Sequence, residues 1–221
     1  MDRIEMQEAL IAIFAKVPEP GSVKTRLIPS LGPERAAGLA EAFLEDTVTR
    51  MRRLEWAECI IAATQPFQRG YFKPHEVWLQ SEGDLGERLE KVLRLALKRR
   101  KTVLAIGSDT PNLPLQFLHH ARHALATAGA VLGPSLEGGF YLIGLKDCPV
   151  GMLEGIQWGH STTLAATAAK LDQFGMKTAL VNPWFDVDSP ADLERLRRQL
   201  AADPGSAPVT AEYLRRIFPG P

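Results

Sequence analysis

Buried strands announce themselves in this chain as apolar runs without polar alternation. Ala9–Ala15 (ALIAIFA) and Thr102–Ile106 read this way, and Ala57–Thr64 is a further apolar strand. Such runs fit strands covered on both faces in the middle of a parallel sheet. Shorter strands are predicted at Glu76–Gln80, Ala130–Gly133, Phe140–Leu145 and Lys177–Val181. Helical spacing fills the intervals. Pro33 opens a helix to about Leu54, with Ala36, Leu39, Ala40, Phe43, Leu44, Thr47 and Met51 on its inner stripe. Leu85, Leu89, Val92 and Ala96 mark a second helix, to about Arg100, and Asp84 and Glu87 stand at capping-box separation before it. Leu115–Ala128, Ser161–Phe174, a stretch beginning at Pro190 and the short amphipathic piece Val209–Phe218 complete the helices, while Gln65–Lys73 shows no pattern. Strands alternating with helices predict an α/β fold with a mostly parallel sheet. With no repeats and no linker, residues 1–203 read as one domain and 204–221 as an extension packed on it.

The candidate chemistry sits where these strands end. The Thr102–Ile106 run stops at Gly107-Ser108-Asp109, and Thr110-Pro111 forbids its continuation. One acid, Asp109, is thereby delivered to the carboxyl end of a buried strand, the edge at which open α/β sheets bind ligands. It either holds Mg²⁺ or Mn²⁺ against phosphate oxygens or simply caps a turn. After Ala15 comes KVPEPGSVKTRLIPSLG, with Gly21 and the cations Lys16, Lys24 and Arg26. The loop is a candidate phosphate cradle, but it has neither Walker nor dinucleotide-fold glycine spacing. Its rival reading is an ordinary solvated loop. Extended backbone there places Lys24 and Arg26 on one side. Near the end, PWFDVDSPADLERL puts Asp186 and Asp188 on one face of an extended segment, with Phe185 and Val187 on the other. Ser189, Pro190 and Asp192 form a helix-start signature that leaves both upstream acids free. In GPSLEGGFYLIGL, Gly138 and Gly139 permit close backbone approach, and Glu137 is either a site carboxylate or a hairpin-tip charge. Trp158 reads as a packing residue.

Composition narrows the partners. Lysine plus arginine and aspartate plus glutamate both number 26 in 221 residues, so the net charge is zero. No nucleic-acid footprint and no polybasic membrane patch are expected. Cys59 and Cys148 are lone and far apart, which reads as two buried cytosolic thiols, with a disulfide as the alternative. The charged start MDRIEMQEAL lacks the apolar stretch of a signal peptide, and no run approaches the ~20 apolar residues of a membrane helix. The expectation is a cytoplasmic protein with a small-molecule partner. The C-terminal segment is a candidate homodimer contact.

Four stretches, FAKVPEPGSVKTRL (14–27), GSDTPNLP (107–114), GPSLEGGFYLIGL (133–145) and DVDSPADLERL (186–196), with GDLGERL (83–89), resemble a family of small bacterial transferases. The family is a domain of unknown function, often labelled glycosyltransferase or nucleotide-diphospho-sugar transferase. The resemblance implies a single-domain GT-A-like fold, a three-layer α/β/α sandwich, similar to sugar-nucleotide-synthesising enzymes and to phospholactate guanylyltransferases. It makes Asp109 a metal-binding and catalytic acid, with Asp186 and Asp188 completing the metal site. Lys24 and Arg26 fall in the segment corresponding to the phosphate loop. With Lys24 and Glu137 as further catalytic candidates, Lys16, Gly21, Ser108, Gly138 and Gly139 join Lys24 and Arg26 as expected substrate-binding positions. Two motifs depart from the family pattern. Asp-Gly-Gly-Tyr becomes Glu137-Gly138-Gly139-Phe140, followed by Tyr141, and Trp-Ser-Thr becomes Trp158-Gly159-His160-Ser161-Thr162. His160 is then a general base or a plain helix-start residue. The expected activity is metal-dependent glycosyl transfer from a nucleoside-diphosphate sugar to a small acceptor. The alternatives are nucleotidyl transfer with release of pyrophosphate and a nucleotide-binding module without turnover.

Overall fold

A computed structural model describes residues 7–219; residues 1–6, most of the charged start weighed above, lie outside the described residues. Fourteen strands and α-helices follow in the order β1 (Ala9–Ala15), α1 (Ile28–Leu31), α2 (Pro33–Met51), β2 (Ala57–Ala63), β3 (Glu76–Leu79), α3 (Leu85–Leu97), β4 (Thr102–Gly107), α4 (Leu115–Ala124), β5 (Ala130–Pro134), β6 (Phe140–Leu145), α5 (Thr163–Gln173), β7 (Thr178–Leu180), α6 (Pro190–Ala202) and α7 (Pro208–Ile217). The strands form one seven-stranded sheet, β3-β2-β1-β4-β6-β5-β7. Every neighbouring pair is parallel except the two that involve β6, which runs antiparallel to β4 and β5.

The uninterrupted apolar runs have the expected cause. Ala9, Ile11, Ile13 and Ala15 of β1 enter one core with Leu44, Val48 and Met51 of α2 and Phe117, Leu118 and Ala121 of α4. Leu10 and Ala12 enter a second core, on the other face, with Leu89, Val92, Leu93 and Ala96 of α3 and Leu171 of α5. Neither face of β1 sees water, so polar alternation would bury unpaired groups. The result is a three-layer α/β/α domain.

A third core joins Leu39 and Phe43 of α2 to Leu193, Leu196 and Leu200 of α6 and Ala211 and Leu214 of α7. Residues 207–218 therefore pack on the same body. Asp46, buried on α2, accepts hydrogen bonds from the backbone N–H groups of Val209 (3.1 Å) and Thr210 (2.7 Å). It thereby caps α7 from another helix, filling donors that a helix start leaves unpaired. One turn along, Arg50 donates to Ser206 O (2.5 Å) and to Leu113 O (2.7 Å). Leu113 belongs to the loop that follows Asp109, so one guanidinium ties that loop to the C-terminal segment. No helix among the described residues is long and apolar enough to cross a membrane.

Candidate active site

From β1 the chain steps outward through β2 to β3, then returns across β1 to β4 on its other side. The β1–β4 boundary is a topological switch point, where crossovers leave to opposite sides and a crevice opens at the carboxyl ends. Both prominent sequence motifs empty there, the Lys16–Arg26 loop from β1 and Gly107-Ser108-Asp109 from β4.

The third motif arrives by backbone pairing. Trp184 N–H donates to Pro134 O (3.0 Å) and Val187 N–H to Asp109 O (3.0 Å), which lays residues 184–188 alongside the ends of β5 and β4. Phe185 and Val187 are buried in the third core, which turns Asp186 and Asp188 to the crevice. Ser189 and Asp192 close a capping box on α6, so the helix draws on neither upstream acid. Both readings of that stretch hold together.

Lys24 does not lie on extended backbone beside Arg26. It adopts the left-handed conformation (φ 48°, ψ 40°), and Thr25–Leu27 turns at once into a 3₁₀ helix. This corrects the expectation of extended backbone there, although both side chains line the same cleft. The turn drives the Lys24 side chain inward, leaving it 4% exposed, to Asp109 Oδ1 at 2.6 Å and Asp188 Oδ1 at 3.2 Å. Val187 O accepts at 2.8 Å, and the Phe43 ring lies 5.3 Å from the ammonium. Three acceptors satisfy three N–H donors. Burial works against the charge, yet Asp109 and Asp188 outweigh it and hold the Lys24 pKa above its ordinary value.

Asp186 accepts from Ser135 Oγ at 2.7 Å. Burial, opposed by that hydrogen bond and reinforced by the charges of Asp109 and Asp188, pushes its carboxyl up to about 6. One lysine thus faces three carboxylates without fully compensating them. The oxygen-only set suits a hard divalent cation. As the side chains stand, no group of three or more His, Cys, Asp or Glu among the described residues is arranged to hold a metal ion.

Two adjoining clefts share Phe14, Arg26, Leu85, Gly107, Asp109 and Asp188. The first, toward β1, is lined by Lys16, Lys24, Arg26, Thr64, Gln80, Arg88 and Ser108. The second, toward β6, is lined by Glu137, Gly139, Phe140, Trp158, His160 and Asp186. Gly21 (φ 84°) turns the loop but lines neither cleft. Gly138 has a packing role. It sits at φ 88°, a Cβ there would meet Ser161 O at 2.2 Å, and its N–H is spent on Ser135 O (3.1 Å). Gly139 faces open space. His160 precedes α5, where Thr163 Oγ1 donates to His160 O (2.8 Å).

Sequence reasoning missed Arg88 and Ser135, and it gave Trp158 no place at the site. Arg88 Nη1 donates to Gln80 Oε1 (3.2 Å), and both residues line the first cleft. The signal was available: a capped helix start just after the β3 strand delivers its first turn to the same sheet edge. Gly86 explains the second glycine of GDLGERL, since a Cβ there would lie 2.7 Å from Leu153 O and 3.1 Å from the Trp158 ring.

Comparison with known proteins places this architecture. Among solved structures, a Desulfovibrio desulfuricans G20 protein that carries the provisional name nucleotide-diphospho-sugar transferase is 31% identical, with a TM-score of 0.86 over 96% of this chain and 95% of its own. A CMP:2-keto-3-deoxy-manno-octonic acid synthetase complexed with CTP (14% identity, TM-score 0.54, 89% of this chain and 100% of its own) shares the fold. So does the 2-C-methyl-D-erythritol 4-phosphate cytidylyltransferase of Thermus thermophilus (16%, TM-score 0.53, 89% and 100%). None of the curated proteins matches the chain. Residues 47–160, just over half the sequence, match the family described as "Uncharacterized protein conserved in bacteria (DUF2064)". With that match and the D. desulfuricans relative aligned along nearly its whole length, the chain belongs to the DUF2064 family of bacterial proteins.

Proposed function

We propose that this protein is a transferase acting on a nucleotide-activated substrate, and that it moves a glycosyl group from a nucleoside-diphosphate sugar to a small acceptor. The observation that carries the reading is the pairing of a cation-bearing cleft with a second, adjoining cleft at one cluster of acids. Lys16, Arg26 and Arg88 at the first cleft complement a diphosphate, and Ser108 adds a hydroxyl donor. Lys24, released by Asp109 and Asp188, would turn its ammonium to an arriving phosphate. Asp109, Asp186 and Asp188 would hold Mg²⁺ or Mn²⁺. When bound, that ion would neutralise the departing diphosphate.

In the transfer, an acceptor hydroxyl oxygen bonds to the anomeric carbon. The carbon–oxygen bond to the diphosphate breaks, and its electron pair leaves with the nucleoside diphosphate. Glu137, on the wall of the second cleft, takes the hydroxyl proton. Calorimetric titration of UDP-glucose and of CTP, with and without Mn²⁺, tests the donor half. Binding that requires the metal and is lost in Asp109→Asn supports the reading, and binding indifferent to both overturns it. Glu137→Gln is expected to lower turnover at least 100-fold while leaving donor affinity unchanged, as single-turnover assays would show.

A second reading, nucleotidyl transfer, is favoured by the number of cations at the first cleft, which suits a triphosphate, and by the fold shared with cytidylyltransferases. Pyrophosphate release from CTP would select it.

A further inference from the structure

The second cleft has walls unlike those of a phosphate site. Phe14 from β1, Leu85 from α3, Phe140 from β6 and Trp158 from the segment before α5 all sit at the rim of the second core, only partly buried. Four separate elements therefore turn apolar surface into one concavity. The Phe140 and Trp158 rings meet edge to face at 5.9 Å between centroids. The arrangement is built: Gly86 lets the indole close on α3, and Gly138 lets the β5–β6 turn close on Ser161. Concave apolar surface beside a few polar groups is the form of a small-molecule site.

The charges lining this cleft are mostly negative: Asp109, Asp186, Asp188 and Glu137 against Arg26. A phosphorylated molecule entering here would face Glu137 and Asp186 with Arg26 as the lining cation, since Lys16 and Arg88 line the other cleft and Lys24 is engaged by Asp109 and Asp188. Its charge would be desolvated against like charge, the costliest combination available.

Resting on the transferase reading, we propose that the Trp158 cleft is the acceptor site, and that it takes a molecule with an apolar or aromatic body and an uncharged, hydroxyl-bearing head. The body lies along Phe14, Leu85, Phe140 and Trp158, and the hydroxyl points to the acids. Phosphorylated acceptors are excluded by the charge of the walls.

Two probes that differ only in charge test this: 2-phenylethanol and 2-phenylethyl phosphate. Each is titrated into the full-length ¹⁵N-labelled protein, with and without saturating UDP-glucose and Mn²⁺, following the tryptophan indole N–H signals. Trp158→Phe identifies the Trp158 signal. The alcohol is expected to shift that signal saturably, equally well with UDP-glucose present, and at least ten-fold more tightly than the phosphate. Gly139→Leu, whose new side chain enters open space on the cleft wall, is expected to weaken the alcohol at least ten-fold and to leave UDP-glucose affinity unchanged. Equal or tighter binding of the phosphate overturns the charge selection. Displacement of the alcohol by UDP-glucose overturns the acceptor assignment, and so does a Trp158 signal indifferent to both probes. Failure of UDP-glucose to bind, measured separately by calorimetry, strikes the transferase reading instead.

Discussion

Lys24 is the one non-glycine residue with positive φ among the described residues, a backbone choice that costs about 1–2 kcal/mol. What offsets the strain is the three-acceptor clasp on Asp109, Asp188 and Val187. Lys24→Met should therefore lose the clasp and keep the strain, with UDP-glucose affinity falling at least ten-fold by calorimetry. Asp186 makes the opposite prediction for stability. Its carboxyl titrates at about 6 when folded against an ordinary 3.8, so unfolding is favoured by ionisation over that interval. The penalty grows as pH rises from about 4 to 6 and is constant above, on the order of 3 kcal/mol. Asp186→Asn should raise urea-unfolding stability at pH 7.5 by up to that amount, with the gain shrinking below pH 5. The three acids were legible in the sequence because local spacing places them: a strand end for Asp109, alternation for Asp186 and Asp188. The course of Lys24 was not. Its conformation is imposed by partners more than 80 and 160 residues away, and no local pattern carries that.

At the scale of elements, both capping boxes were legible because they are contained within four residues, Asp84 with Glu87 and Ser189 with Asp192. The cap on α7 was not, because its acceptor, Asp46, lies on α2. Asp46→Ala should cost about 1–3 kcal/mol by leaving buried donors unpaired, measured as a lower urea midpoint. Glycine roles divide the same way. A glycine pair in GPSLEGGFYLIGL announces close approach, but only the fold shows Gly138 against Ser161 and Gly86 against Trp158. Gly86→Ala should destabilise by about 1–3 kcal/mol through overpacking, and a shifted Trp158 indole signal would locate the damage at the acceptor cleft.

For the whole molecule, the run of apolar strands predicted a mostly parallel α/β sheet, but strand order and the reversal of β6 came only from the structure. Pairing partners are chosen by tertiary packing, and an apolar run fits either direction. The reversal matters to the site. β6 begins at the edge where β1 and β4 end, so the Ser135–Gly139 turn stands at the crevice and Glu137 with it. The bridge made by Arg50 reaches further. One guanidinium holds both Leu113 O, four residues past Asp109, and Ser206 O, in the turn before α7. The loops accept from different nitrogens of that one group, so opening of either removes one of the two anchors that fix the guanidinium for the other. A ligand that steadies Asp109 should then be felt at the far end of the chain, as slower amide-proton exchange and slower proteolytic nicking around residues 203–207, and Arg50→Lys should sever that correlation.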